Sequence, residues 1–238
     1  MKPRLSVNLA VLVVLIVTAR TDTVFAKTKS SPTQPTATTT TNEADQTLAA
    51  LKSGNQRFVS GKARTDGQTQ ADIHRLATGQ SPKAIVLSCS DSRVPPELVF
   101  DQKLGEVFTV RSAGESLSGP AIGSIEFAIA KLGSKLIVVM GHTSCGAIKA
   151  AVETPDGTSA GSENLDQLVS DIKPRIAAAS KSGGHSSELT EESWANAKGV
   201  AQDLVARSKI ISSAVQTGKI KIVVGLYHLD DGTVTFAQ

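Results

Sequence analysis

Four short apolar runs, rich in β-branched residues, are separated along the chain and predict the strands of a sheet. They are Ala84–Leu87, Val107–Val110, Leu136–Met140 and Ile220–Val224. None of the runs alternates between apolar and polar residues, as a strand with one solvated face would. Continuous apolar runs are typical of strands that are buried on both faces, as in a parallel sheet.

Helical periodicity fills the intervals between these runs. The predicted helices are Pro120–Leu132, a segment from Leu165 to Ile176 with a kink expected at Pro174, and Glu191–Thr217 as one long helix or two. Strands that alternate with helices indicate an α/β fold, here a central parallel-rich sheet flanked by helices. The order of the strands within the sheet does not follow from the pattern.

Residues 1–26 have the pattern of an export signal. Lys2 and Arg4 form a basic start, Val7–Ala19 is apolar, and small residues precede a cleavage site after Ala26. The alternative is a retained membrane anchor, but Val7–Ala19 spans only thirteen residues, eleven of them apolar, which is short for a bilayer that needs about 20. The sequence therefore predicts a protein that is exported, periplasmic or extracellular, and that keeps no stable membrane anchor after cleavage.

Residues 27–42 are rich in Ser, Thr and Pro and lack an apolar period, which predicts a flexible linker. Helical spacing begins after Asn42, a candidate N-cap, and it continues to a turn at Gly61 through Leu48, Leu51 and Phe58. The predicted catalytic domain is 43–238, with this first helix as an amino-terminal arm.

Charge and aromatic content argue against nucleic acid as a partner. The net charge is +3 over 238 residues, and Lys2, Arg4 and Arg20 against Asp22 place +2 of it in the predicted signal. The remainder is nearly neutral, and eight aromatic residues are too few for base-stacking surfaces.

Two predicted strands lead into side chains that bind metals. The first is followed by Cys89, and the third by His142 and Cys145. Since ligands gather at the carboxyl ends of parallel strands, the three side chains can meet. Thiolates and imidazole are preferred zinc ligands, and three protein ligands leave one position open. The alternative is a disulfide between the two cysteines, which an oxidising compartment favours.

Asp91 and Arg93 follow Cys89 at a spacing of two, so their side chains point the same way on an extended segment. A bidentate pair would keep the carboxylate charged and oriented. Asp91 could instead bind the metal itself and close the site. As an ordinary surface ion pair the two residues would contribute only about 0–1 kcal/mol.

Together these motifs resemble the β-class carbonic anhydrase family. The likeness rests on the Cys-x-Asp-x-Arg run at Cys89 and the His-x-x-Cys run at His142, and it covers most of 43–238. Further matching stretches are Leu51–Phe58, Val110–Gly114, Gly123–Phe127 and Val224–Tyr227. The resemblance implies one zinc ion per subunit, held by Cys89, His142 and Cys145.

The resemblance also implies reversible hydration of carbon dioxide to bicarbonate and a proton, through zinc-bound hydroxide oriented by Asp91 and Arg93. In the family, substrate pockets are lined across a dimer interface, and the amino-terminal arm wraps a partner. It therefore implies a homodimer or a higher even oligomer, with substrate-binding positions that match Gln80, Phe108 and Phe127.

Three departures from the family pattern and three rival functions remain open at this point. Ser112 and Glu115 stand where family members commonly have Asn, and Val86 stands where the bicarbonate-inhibited subclass has Trp, which favours an open site. Rival functions are hydrolysis of carbonyl sulfide or carbon disulfide, a zinc-containing binding module that retains no catalysis, and a binding domain stabilised by a disulfide.

Overall fold

Five strands form one sheet in the computed structural model, which describes residues 38–179 and 186–237. In chain order they are β1 (Ala84–Ser88), β2 (Val107–Arg111), β3 (Leu136–His142), β4 (Lys221–Tyr227) and β5 (Val234–Phe236). The sheet order is β2-β1-β3-β4-β5, with parallel pairing among the first four and antiparallel pairing of β5 with β4. The four predicted strands are confirmed. Only β5 was missed, since its three residues are too few to show a period.

Eight α-helices lie in the described part of the chain. They are α1 (Thr38–Val59), α2 (Gln70–Leu76), α3 (Pro96–Val99), α4 (Gly119–Ala130), α5 (Gly146–Glu153), α6 (Glu163–Ile176), α7 (Thr190–Arg207) and α8 (Lys209–Gln216). None of these helices combines the length and the apolarity needed to cross a membrane.

The helix predictions hold with two adjustments. The long segment after Glu191 is two helices, because Ser208 ends α7 and its side chain accepts a hydrogen bond from the Ile211 amide at 3.1 Å, which begins α8. The predicted start after Asn42 is wrong, since α1 begins at Thr38. The last five residues of the predicted linker, 38–42, are therefore helical, while the signal and the rest of the linker lie outside the described residues.

Each face of the sheet is covered by helices, which explains why the strands lack alternation. All five residues of β1 are buried. Val86 packs in a core that includes residues of α1, α5 and α6, whereas Ile85 and Leu87 pack in a second core with residues of α4, α7 and α8. A strand with apolar contacts on both faces needs an apolar residue at every position.

Helix α1 is fixed to its own chain by a close approach and a buried amide. A Cβ atom at Gly54 would lie 1.8 Å from the Phe100 carbonyl oxygen, so only glycine fits there. Next to it, the Asn55 Nδ2 group donates to the carbonyls of Val99 at 3.1 Å and Gly232 at 2.9 Å. The amino-terminal arm is thereby joined to α3 and to the turn before β5.

The sheet has a topological switch point between β1 and β3. After β1 the chain moves to β2 on one side, and after β3 it moves to β4 on the other. The loops at the carboxyl ends of β1 and β3 therefore part from each other, and such an opening is where α/β sheets bind ligands.

Candidate metal centre

Three buried side chains converge at this switch point. Cys89 directly follows β1, His142 ends β3, and Cys145 is the N-cap residue of α5. Their exposed fractions are 4%, 1% and 1%, respectively. Since β1 and β3 are neighbours in the sheet, the predicted convergence of ligands from distant parts of the sequence is present.

The spacing of the donor atoms suits a tetrahedral metal ion. The sulfur atoms of Cys89 and Cys145 lie 3.9 Å apart, and one ligand atom from each of the three residues lies within 4.8 Å of the others. Two thiolates on one zinc ion, each with a bond of about 2.3 Å, would be separated by about 3.8 Å. Both cysteines are free, so the alternative of a disulfide is not what the structure shows.

The imidazole of His142 is oriented for the same ion. Its Nδ1–H donates to the Thr143 carbonyl oxygen at 2.9 Å, which fixes the ring and leaves the lone pair on Nε2. Nε2 is buried and has no hydrogen-bond partner among the described residues. A buried polar atom without a partner is costly unless something binds it, and a metal ion at this position would satisfy it.

The two thiols are electrostatically coupled. The pKa of Cys89 is lowered to about 4, first by a hydrogen bond from Cys145 and further by one from the Gly114 amide, against the opposing effect of burial. The pKa of Cys145 is raised, first by sharing its proton with Cys89 and then by burial. One thiolate is thus ready to bind a metal, and binding would displace the remaining proton.

Asp91 lies beside this cluster without joining it. Arg93 donates from Nε to Oδ1 at 2.9 Å and from Nη2 to Oδ2 at 2.7 Å, and its backbone amide adds a bond of 2.9 Å to Oδ1. The pKa of Asp91 is lowered, first by the hydrogen bonds from the Arg93 side chain and also by the Arg93 backbone amide, although partial burial opposes this. The carboxylate is therefore held in its ionised form.

Arg111 fixes the loop that carries both Cys89 and Asp91. From the end of β2 its Nε donates to the Cys89 carbonyl at 2.9 Å, and its Nη2 donates to the Asp91 carbonyl at 2.5 Å. Arg111 lies in the stretch Val110–Gly114 that resembles the family, but no role for it was predicted from the sequence. The role of Arg111 depends on the pairing of β2 with β1, and the strand order could not be predicted from the sequence.

A strained turn delivers Cys145. Ser144 has a φ of 53°, which is left-handed and unusual for a residue with a side chain. The preceding residue is held on both sides, because the Thr143 amide donates to the Tyr227 carbonyl at 3.0 Å and the Thr143 hydroxyl accepts from the Leu229 amide at 3.0 Å. The turn brings the Cys145 sulfur back toward Cys89.

The three residues that were predicted to bind substrate lie in different parts of the single chain. Gln80 is exposed, lies four residues before β1 at the amino end of the sheet, and lines a surface groove with Ile73 and Leu104. Phe108 in β2 is half-buried against the second core, and Phe127 on α4 is 50% exposed. None of them belongs to the cluster of metal ligands.

The family model, the curated relatives and the solved structures that resemble this chain are all carbonic anhydrases. The carbonic anhydrase family model matches residues 84–234. Carbonic anhydrase 2 of Mycobacterium tuberculosis is 40% identical over 184 residues, which are 77% of this chain and 87% of that protein. The solved structure of a Coccomyxa β-carbonic anhydrase in complex with acetazolamide is 26% identical, with a TM-score of 0.63 over 79% of this chain and 85% of that one. The β-carbonic anhydrase CcaA has the same fold, with a TM-score of 0.65 at 20% identity over 80% of this chain and 95% of its own.

Proposed function

Because this chain belongs to the β-carbonic anhydrase family, we propose that it uses zinc to convert carbon dioxide and water reversibly into bicarbonate and a proton. The observation that carries the proposal is the convergence of Cys89, His142 and Cys145 beside the ion pair of Asp91 and Arg93. A purely structural zinc site would need the three ligands but not that ion pair.

Two thiolates and one imidazole are a donor set suited to a zinc ion that activates water. Zinc bound by two thiolates and one imidazole would keep a fourth position for water, and it would lower the pKa of that water toward about 7, which would supply hydroxide near neutral pH. The protein holds the donors in place beforehand, since all three are buried and the His142 ring is fixed by Thr143.

The proposed role of Asp91 is to orient the nucleophile. With both oxygens bound by Arg93, the carboxylate still has lone pairs that can accept a hydrogen bond from the nucleophile. Accepting that bond would turn a lone pair of the nucleophile toward carbon dioxide. Arg93 keeps Asp91 charged and in one orientation, and it thereby acts through Asp91.

The position of Asp91 supports an open site, in which the fourth metal position is left for water. Its carboxylate is outside the group of converging ligand atoms and is bound by three hydrogen bonds from Arg93. Closing the site would require breaking the two side-chain bonds.

A second subunit would complete the substrate pocket. Gln80 is at the amino end of the sheet, whereas the metal ligands follow the carboxyl ends of β1 and β3, so Gln80 can reach such a site only from another copy. The exposed Phe127 and the open edge of β2 are available for that contact. The proposed assembly is a homodimer or a higher even oligomer, and sedimentation equilibrium tests it, with a monomer at micromolar concentration as the contrary result.

Export is the remaining part of the proposal, and it is based on the basic start, the apolar run and the Ala26 cleavage site of residues 1–26. Mass spectrometry of the secreted or periplasmic protein should find an amino terminus at Lys27. Recovery of the uncleaved chain from the cytoplasm would contradict it.

The activity is tested by stopped-flow measurement of carbon dioxide hydration by residues 27–238 at pH 7 and pH 8.5. Activity at both values supports the enzyme with an open site, while activity at pH 8.5 alone indicates that Asp91 closes on the zinc. A zinc-loaded protein that is inactive at both values contradicts the proposed reaction.

A further inference from the structure

One backbone amide is directed at a metal-binding sulfur. The Gly114 N–H donates to the Cys89 sulfur at 3.4 Å. Gly114 and Glu115 have φ values of 57° and 52°, and this pair of left-handed residues turns the amide inward. A Cβ at Gly114 would lie 2.8 Å from Ile172 Cδ1 and 3.1 Å from Ala147 Cβ, so the approach requires glycine.

A side chain from a distant helix holds this turn. Asn196 of α7 donates from Nδ2 to the Gly114 carbonyl at 2.8 Å and to Glu115 Oε2 at 3.1 Å. Asn196 is 0% and Glu115 1% exposed. The two bonds fix the carbonyl group of Gly114, whose amide contacts the Cys89 sulfur, and the side chain of Glu115. They therefore hold the backbone on the carboxyl side of Gly114, and through it the position of the Gly114 amide.

The far end of the same loop has a separate anchor. Asp171 of α6 accepts hydrogen bonds from the Ser116 hydroxyl at 2.8 Å and the Leu117 amide at 3.2 Å. Arg175 holds Asp171 through two further bonds of 3.0 and 2.9 Å. Removing Asn196 would therefore free the turn at Gly114 while the loop stays attached beyond it.

We propose that Asn196 is a positioning residue for the metal centre, because its bridge to Gly114 and Glu115 holds the Gly114 amide on the Cys89 sulfur. The inference rests on the proposed function in that zinc is the ion bound. A hydrogen bond to a thiolate withdraws charge from sulfur, so the bridge tunes how strongly Cys89 donates to the metal and keeps the sulfur in place.

The test replaces Asn196 by Ala in the purified protein and measures zinc affinity by competition with a chelator. Partners of metal ligands typically contribute 10–100-fold in affinity or activity, and we expect a loss of about 10-fold because the Cys89 sulfur is no longer held in place, which outweighs its greater donor strength. The cobalt(II)-loaded protein gives a second readout. Its thiolate-to-cobalt absorption band should move to longer wavelength, because the sulfur becomes richer in electrons.

Asn55→Ala is the matched control. Asn55 is also a buried asparagine whose Nδ2 donates to two acceptors, but those acceptors are the carbonyls of Val99 and Gly232. Both variants should lose stability, and only Asn196→Ala should change zinc affinity and the cobalt spectrum. An unchanged Asn196→Ala, or an equal change in Asn55→Ala, would overturn the inference.

A second pair of variants decides the matter if Asn196→Ala does not fold. Glu115→Gln keeps an oxygen that can accept from Asn196, whereas Glu115→Leu removes it. Weaker zinc binding in Glu115→Leu with normal binding in Glu115→Gln supports the bridge, and equal behaviour of the two overturns it. If the unsubstituted protein binds no zinc, the proposed metal itself is wrong, which is a distinct result.

Discussion

Arg93 binds Asp91 through two nearly parallel hydrogen bonds, Nε to Oδ1 at 2.9 Å and Nη2 to Oδ2 at 2.7 Å. The arginine side chain is 55% exposed, whereas the Asp91 side chain is 18% exposed. An exposed ion pair of this kind contributes little to stability, so its planar geometry is better explained by orientation. In the proposed function the site therefore has two separate parts, because the buried ligands would bind the metal and the ion pair would direct the reaction.

Replacing Asp91 by Ala should keep the zinc and lower kcat/KM by about 100-fold or more, the range for removal of a positioned group that manages a proton. The zinc content should stay at one per chain, because Asp91 is not among the converging ligands. Stopped-flow kinetics and elemental analysis measure the two quantities.

Asp156→Ala is the control for that substitution. Asp156 also forms an ion pair, with Lys173 at 2.6 Å, but its side chain is 98% exposed. Neither residue is part of the candidate metal centre. Its kcat/KM should stay within about twofold of the unsubstituted protein, as expected for a surface substitution. Full activity in Asp91→Ala would refute the role given to the carboxylate.

Replacing Cys145 by Ser should abolish metal binding. The hydroxyl does not ionise near neutral pH, so the site would keep only Cys89 and His142, and two ligands hold zinc poorly. Zinc per chain after dialysis should fall from about one to near zero. A stoichiometric zinc content in Cys145→Ser would show that the ion is held elsewhere.

Metal removal should expose two thiols. The structure has both cysteines free with their sulfur atoms 3.9 Å apart, longer than the disulfide bond length of about 2.05 Å. Protein that is purified with zinc, stripped by a chelator under argon and unfolded should react with two equivalents of a thiol reagent, and the zinc-loaded folded protein should react much more slowly. No reactive thiol after unfolding would establish the disulfide alternative.

The features that could be predicted from the sequence are those that depend on a single strand or a single motif. The four parallel strands follow from runs such as Leu136–Met140, in which every residue is apolar because both faces are covered. The candidate metal ligands Cys89, His142 and Cys145 could be predicted because thiols and an imidazole at the ends of strands favour a metal site. Both inferences depend on local pattern.

What the sequence did not reveal depends on contacts between distant segments. Asn196 is 82 positions from Gly114, and nothing in the pattern of α7 distinguishes it from other polar residues of an amphipathic helix. Glu115 appeared as a departure from the family pattern, yet its burial and its bond to Asn196 required the fold. The position of Gln80 at the far end of the sheet likewise depends on strand direction.

The buried Glu115 should make stability depend on pH in a direction opposite to that of most carboxylates. Burial, and next the negative charge on Cys89, raise the pKa of Glu115 well above its usual value of 4.5. The folded state then keeps a proton that the unfolded state releases above about pH 4.5. The free energy of unfolding therefore falls as pH rises from there toward the folded pKa, by up to about 1.4 kcal/mol per pH unit.

Glu115→Gln isolates this effect, because the amide resembles the protonated acid in shape and cannot ionise. Urea unfolding of both zinc-loaded proteins at pH 5.0, 6.5 and 8.0 should give similar free energies at pH 5.0 and an increasing advantage for Glu115→Gln at the higher values. Subtracting the two proteins at each pH removes the contribution of the groups whose titration does not depend on Glu115. A difference that stays constant with pH would mean that Glu115 has the same pKa in the folded and unfolded states, and a difference that shrinks would mean that its folded pKa is lowered.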